Sequence, residues 1–346
     1  MSGRSIATAV VILAGMSHTP PESPELARAF AAYAARQTFD RAPATLYDPV
    51  RYVMGVAGKR VRPLLLLQAH ALGGDSPDRA LPAAYAVELF HNFTLVHDDI
   101  MDAADTRRGR PSVHAAFGQD AAILSGDVML IDSYGYLLNH YDSSLATALA
   151  RRFGTMAAEL CGGQQRDMDM ERAAGGSQSY AAYLEMIGGK TGVLITACLE
   201  LGALIAELPE ASVDALKRAG TAAGRAFQIM DDVLDTFSTG SATGKMDYGD
   251  VQRGKQSAPF LRALDVADER QRGRLVELYA LTPEARRPHI PEVLELYGRL
   301  GVQDVLRAEV AALTEEAVAA LRSVDGVAGA KQALTSSILA LAGRAS

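Results

Sequence analysis

The segment Leu95-Val96-His97-Asp98-Asp99-Ile100-Met101-Asp102 has a second copy far down the chain, Ile229-Met230-Asp231-Asp232-Val233-Leu234-Asp235. Each copy sets two adjacent aspartates, two apolar residues and a further aspartate inside an apolar run with helical spacing. Helical positions i and i+4 share a face, so Asp98 stands over Asp102 and Asp231 over Asp235. Like charges so placed repel by roughly 0.2–0.5 kcal/mol in water and by more when buried. A chain that does this twice implies a cation to hold them. Breakers follow both copies, Gly109 and Pro111 after the first and Ser238-Thr239-Gly240 after the second. Both sets therefore fall near helix C-termini, where the macrodipole adds to the attraction for a cation. An all-oxygen donor set without nearby cysteine selects a hard ion, Mg²⁺ before Ca²⁺ or Mn²⁺. Mg²⁺ held by a few carboxylates keeps positions for phosphate oxygens, so a phosphorylated substrate is expected.

The elements that must position these groups read as helices. They run over Leu26 to Arg36, Asp48 to Val56, Ala80 to Ala103, Gln119 to His140, Ser144 to Met170, Ser177 to Leu204 and Ala215 to Phe237. Between the second and third lies Ala57-Gly58-Lys59-Arg60-Val61-Arg62-Pro63, where Lys59 and Arg62 can converge on one anion or form a solvated basic turn. His91 precedes Asp98 by seven residues, about 20° off the same face, and can share its cavity or be an ordinary core histidine. Glu88-x-x-His91 resembles half of a di-iron site, but no second Glu-x-x-His exists in the chain. Arg107 and Arg108, just beyond the first aspartates, suit bidentate contacts to phosphate, the alternative being a surface charge run. Gly188-Gly189-Lys190-Thr191-Gly192 interrupts a helix and puts a cation and a hydroxyl at a kink. It lacks the frame of a Walker loop. Gly244-Lys245 and Gly254-Lys255 add two ammonium groups beside the second aspartate set.

At 346 residues, 49% hydrophobic and without a Pro/Gly/Ser-rich linker, the chain reads as all-α, one large domain over residues 25–346 behind an N-terminal extension, residues 1–24. A net charge of −7 gives no footprint for nucleic acid or an anionic membrane. The two cysteines, Cys161 and Cys198, lie in apolar helical contexts, which fits free thiols in a reducing, cytoplasmic setting. Arg4 followed by Ile6 to Met16 faintly imitates a signal peptide, but the small-residue cleavage pattern is poor; a frayed extension or an early start codon is the simpler account. No stretch of eighteen or so consecutive apolar residues is apparent, so a soluble protein without a membrane span is expected.

Taken together, Lys59 to Pro63, Leu95 to Asp102 with Arg107-Arg108-Gly109-x-Pro111, Gly163-Gln164 to Asp167, Lys190-Thr191, Phe227-Gln228 to Asp235 and Gly244-Lys245 to Lys255 resemble the trans-isoprenyl diphosphate synthases, the polyprenyl synthetase family. The resemblance covers about Asp48 to Leu264, in order. It implies an antiparallel helix bundle around an apolar cavity. It also implies condensation of isopentenyl diphosphate with an allylic diphosphate, Mg²⁺ at three ions per site with Mn²⁺ as a substitute, and a homodimer. Asp98, Asp102 and Asp231, with Lys190 and Lys245, are the implied catalytic groups; Asp98, Asp102, Asp231 and Asp235 hold metal, with Asp99 and Asp232 supporting. Lys59, Arg62, His91 and Arg108 are implied to bind isopentenyl diphosphate. Arg107, Lys190, Thr191, Gln228, Lys245 and Lys255 are implied to contact the allylic diphosphate. The chain departs from the family in Ala57, where Gly is usual, and in Ser257-Ala258, where Thr-Leu is common.

A helical turn rises about 5.4 Å, close to one isoprene unit, so residues one turn before Asp98 should govern product length. Those are Phe93 and Thr94. One aromatic beside one small residue, with no insertion between the first aspartates, resembles the geranylgeranyl diphosphate (C20) synthases; farnesyl or longer products are the alternatives. On an ideal helix Thr94 lies about 40° from Asp98 and Phe93 about 140° away, so the role of Phe93 rests on the resemblance. A terpene cyclase would replace the second aspartate set with an Asn/Ser/Glu motif, and a regulatory subunit would carry damaged motifs. Both sets are intact here.

Overall fold

The structure, a computed structural model, describes residues 24–56, 58–173, 177–238 and 248–343. Nearly all of it is helix, as composition implied. Helices α1 (Pro24–Ala35), α2 (Ala44–Met54) and α3 (Val61–His70) lead into α4 (Leu81–Met101). Helix α4 starts at a proline in its first turn, where a missing N–H costs nothing, and is buried on all sides from Leu81 to Phe90. After it come α5 (Val113–Phe117), α6 (Gln119–Asn139) and α7 (Ser143–Arg172). Gly118, at φ +90°, breaks α5 from α6, and the Asp142 carboxylate caps α7 by accepting from the Ser144 and Leu145 amides.

Helix α8 (Tyr180–Ile187) and helix α9 (Val193–Ile205) are joined by a π-helical turn, Gly188–Gly192, and α10 (Glu210–Phe237) carries the second aspartate set. The chain ends in α11 (Gly249–Arg253), α12 (Ala258–Val266), α13 (Glu269–Tyr279), α14 (Pro283–Arg286), α15 (Ile290–Arg299), α16 (Val302–Arg322) and α17 (Ala328–Ala342). Helix α9 is buried almost all round, as befits the centre of a bundle. The core forms two large clusters. One gathers α3, α4, α9 and the first half of α10; the other gathers α8, α12, α15 and the second half of α10. Helix α10 is thus the spine that both clusters grip, which fixes the aspartates at its far end.

A small ribbon interrupts the helices. Thr106–Arg107 pairs antiparallel with Arg110–Pro111, and Arg108 and Gly109 form the two-residue turn with φ of 54° and 74°. Two consecutive left-handed residues are what such a hairpin turn requires. A non-glycine residue there costs roughly 1–2 kcal/mol, so the ribbon holds Arg108 in a conformation it would not choose alone.

One expectation needs correction. Gln119–Asn139 and the continuous run Tyr180–Ile205 are each long and apolar enough to cross a membrane by length and composition. The second is 72% buried inside the protein and is the core helix just described; the first is 33% buried. Sparse charges spaced along α6, Asp127 and Asp132, hid its apolar average from a search for uninterrupted apolar runs. Of the N-terminal extension, residues 1–23 lie outside the described residues. The thiols of Cys161 and Cys198 are free, the first exposed and the second buried.

Candidate active site

Both aspartate sets sit where spacing placed them. Asp98 occupies the last turn of α4 and Asp102 caps it, the Asp102 amide donating to the Asp98 carbonyl at 2.9 Å. Asp231 and Asp235 stand one turn apart in the last two turns of α10. Burial pushes the Asp98 carboxyl up to about 6, with Lys190 pulling it down and Asp102 pushing it further up. A carboxylate so disfavoured is one that a nearby cation would stabilise.

The middle aspartates do something else. Asp99, 2% exposed, accepts from the Arg107 Nε at 2.7 and 2.8 Å and pairs with its Nη2 at 2.6 Å. Asp232, 3% exposed, accepts from the Tyr183 hydroxyl at 2.7 Å, the Gln228 amide at 3.0 Å and the Ala258 N–H at 3.1 Å. Burial pushes the Asp232 carboxyl up to about 6 against the pull of Lys255. These two carboxylates are anchors: one orients Arg107, and the other ties α10 to α8 and to the start of α12. Thr191 donates to the Gln228 side chain at 2.9 Å, which extends the second network to the π-helical turn.

Glycines shape that turn. A Cβ on Gly163 of α7 would run into the Lys190 amide nitrogen, and one on Gly224 of α10 would run into the Gly192 Cα. With both positions bare, the two helices pinch the turn from either side, and Gly189 lies 3.1 Å from the Gly163 Cα when its own Cβ is built. Four residues after Gly163, on the same face of α7, Asp167 receives the Lys190 ammonium. Burial works against the Asp167 charge, but Lys255 and Lys190 outweigh it and hold the carboxyl below its usual range. Burial likewise works against the Lys255 charge; Asp167, Asp250 and Asp232 more than offset it and raise its pKa. A line of alternating charge thus runs from Asp98 through Lys190, Asp167 and Lys255 to Asp232, from the end of α4 to the end of α10.

Two cavities open around these groups. One, of about 580 Å³, is lined by Arg107, Arg108, Gln228, Asp231, Asp235 and Lys255 among others. The other, of about 390 Å³, is lined by Lys59, Arg62, His91 and Arg108 together with Gly58 and Glu88. Arg108 lines both. Gly58 lets it pass, since a Cβ there would come within 2.8 Å of the Arg108 Nη1. Burial and the surrounding arginines, Arg62 first, depress the His91 pKa strongly, so the neutral ring accepts from Arg62 at 3.1 Å. Glu88 is spent on Arg60 and on the Asn92 amide, which disposes of the di-iron resemblance.

Of the residues expected from sequence, Lys245 lies outside the described residues. Phe93 turns toward α6: its ring meets His97 edge-on at 4.8 Å, and His97 reaches the Ile123 carbonyl at 3.2 Å. Thr94 bonds back to the His91 carbonyl at 2.8 Å. Sequence reasoning gave no role to Asp167, Tyr183 or Asp250. Only Asp167 had a usable signal, its i+4 spacing from Gly163; Tyr183 reaches Asp232 across 49 residues, which no local pattern reports.

The donor set fits a hard divalent ion. It is carboxylate oxygen throughout, at two helix C-termini, and among the described residues no three acids, histidines or cysteines converge to hold an ion alone. Each pair of carboxylates would therefore need ligands from a bound phosphate and water.

Comparison with known proteins agrees with this geometry. The family profile described as Polyprenyl synthetase matches residues 43–297. This chain belongs to the polyprenyl synthetase family. A short chain isoprenyl diphosphate synthase of Methanocaldococcus jannaschii is 36% identical over 251 residues, 72% of this chain and 76% of that one. A geranylgeranyl diphosphate synthase of Methanosarcina mazei is 38% identical over 224 residues, 64% of this chain and 68% of that one. A crystal structure of a geranylgeranyl pyrophosphate synthase superposes with a TM-score of 0.88 at 35% identity, covering 93% of this chain and 99% of the other. The family shares the all-α bundle seen here.

Proposed function

We propose that the protein is a prenyltransferase that condenses isopentenyl diphosphate head-to-tail with an allylic diphosphate, with geranylgeranyl diphosphate as its product. One observation carries this reading. Two anion sites of different construction, one lined mainly by cations with its single acid, Glu88, paired to Arg60, and one lined by paired carboxylates as well, meet at Arg108. A cyclase acting on a single diphosphate has no use for the first.

In this reading Lys59, Arg62 and Arg108 grip isopentenyl diphosphate, while neutral His91 accepts from Arg62 and keeps its guanidinium facing the cavity. Arg107, oriented by Asp99, and Lys190, oriented by Asp167, serve the leaving diphosphate together with Lys255, and the resemblance adds Lys245; Thr191 and Gln228 brace the turn behind them. A lysine ammonium has three donors, so the bond to Asp167 leaves Lys190 two for phosphate. Asp98 and Asp102 with Asp231 and Asp235 would hold Mg²⁺, three ions in all. Mg²⁺ held there would supply the charge neutralisation that makes the allylic diphosphate a leaving group, and Arg107 and Lys190 add donors where negative charge grows as the C–O bond breaks toward an allylic cation. The double bond of isopentenyl diphosphate attacks that cation, and the released diphosphate takes the proton that must then leave.

Thr94 stands on the Asp98 face, and Phe93 closes the side toward α6 against His97. The purified chain, given isopentenyl diphosphate, Mg²⁺ and C5, C10 or C15 primers in turn, should yield C20 product; no elongation from any primer would end the proposal. Phe93→Ala should lengthen the product by at least one isoprene unit. Unchanged length would remove Phe93 from chain-length control and leave Thr94.

A homodimer completes the reading. Leu124, Ile131 and Leu138, spaced seven apart on α6, are 57%, 66% and 50% exposed and form one apolar stripe. Such a stripe suits a two-fold contact with a second copy. Ile131→Asp should convert a dimer to a monomer in sedimentation velocity; an unchanged sedimentation coefficient would place the contact elsewhere.

A further inference from the structure

The π-helical turn has a second face. Behind it, away from both aspartate sets, a groove of about 740 Å³ runs between α7 and α10, with Gly188, Gly189 and Gly192 as its floor. Four cations from two helices line it: Arg152 and Arg166 from α7, Lys217 and Arg225 from α10. Arg152 is paired with Glu200, its Nε donating at 2.6 Å. Glu159 and Glu185 also line the groove, yet among the described residues Arg166, Lys217 and Arg225 form no ion pair with them or with any other acid. Two donors, Arg152 Nη1 and Arg225 Nε, are shut away from solvent without an acceptor. Buried N–H groups on charged side chains are seldom left so, and each costs stability. Arg225 lies close against the floor, its Nε 3.9 Å from where a Cβ on Gly188 would be.

We propose that this groove is a second anion site and that it takes free inorganic diphosphate, at the back of the turn whose front carries Lys190 and Thr191. The choice of a diphosphate rests on the proposed reaction, which releases one at every condensation. The anion chemistry itself rests on the cations, of which Arg166, Lys217 and Arg225 have no acid partner among the described residues, and on a floor without side chains, which leaves room for the ion between them. Ala158 and Val193 are the largest apolar contributions to the lining, so a prenyl tail gains little there and the free ion is favoured over a lipid diphosphate. No pair of carboxylates stands one turn apart in the lining, and binding should not require Mg²⁺.

Calorimetry tests this independently of turnover. With both substrate pockets filled by isopentenyl diphosphate, Mg²⁺ and a non-ionising thio-analogue of the allylic substrate, added inorganic diphosphate should bind at one further equivalent per chain. The double variant Lys217→Gln, Arg225→Gln should weaken that binding at least tenfold, with kcat and KM for both substrates within twofold of the parent. Arg166→Gln, an exposed change, gives the same reading should the double variant not fold. No additional equivalent, undiminished affinity in both variants, or tighter binding of geranylgeranyl diphosphate than of the free ion would overturn the assignment. A chain that bound diphosphate in the groove yet elongated no primer would sink the proposed reaction and leave the anion site standing.

Discussion

Asp98→Ala and Asp231→Ala are each expected to lower kcat by on the order of 10³-fold at saturating Mg²⁺, with the fold intact. The reason is geometric. Each aspartate is half of an i, i+4 pair at a helix C-terminus, and with no third acid converging on either pair among the described residues, one lost carboxylate would halve the protein's share of that ion's ligands. The two effects should not add, because both clusters would serve a single diphosphate head. Since burial and Asp102 disfavour the Asp98 charge, the metal-free Asp98→Ala protein should melt no lower than the parent. Steady-state kinetics with a thermal melt checks both. Near-parent turnover in either variant would refute the metal assignment, and a collapsed melt would turn the loss into a folding effect.

Gly163→Ala should have the next largest effect although the residue carries no side chain. Its new methyl group would meet the Lys190 amide and Gly189 in the backbone of the π-helical turn, not a flexible side chain that could swing aside. Moving the turn by about 1 Å takes Lys190 off Asp167, and misplacement on that scale costs about 10²-fold in kcat/KM. Overpacking adds a stability loss of about 1–3 kcal/mol. Gly162→Ala, one residue away, is the control. Its methyl group finds only the Arg166 Nη1 at 3.6 Å, and alanine is the better helix former by up to about 1 kcal/mol, so this variant should be neutral or slightly stabilised. Parent-like kinetics in both would mean that the pinch between α7 and α10 does not set the position of Lys190.

What could be read without coordinates was whatever depends on short spacing. The two aspartate sets, their place at helix ends, the helical class and the break at Gly188–Gly192 all follow from periodicity and breakers a few residues apart. The aromatic at 93 and the basic turn at 59–62 were visible for the same reason. Span-length apolarity in α6 was missed because Asp127 and Asp132 interrupt the apolar run although the average stays high.

Division of labour within each acidic set was beyond such reading. Asp98 and Asp99 look alike in the chain; a turn of about 100° along the helix sends the second into the protein, onto Arg107, while the first stays partly exposed. Asp232 differs from Asp231 in the same way, meeting Tyr183 and the Ala258 amide, both far off in sequence. Gly163 and Gly224 are ordinary helix glycines until α7 and α10 are seen closing on the turn between them. Spacing along one helix sets which side chains share a face. Only the packing of one helix on another decides what that face meets, because the contacts that hold Lys190 against Asp167 and let Arg108 pass Gly58 join residues far apart in the chain.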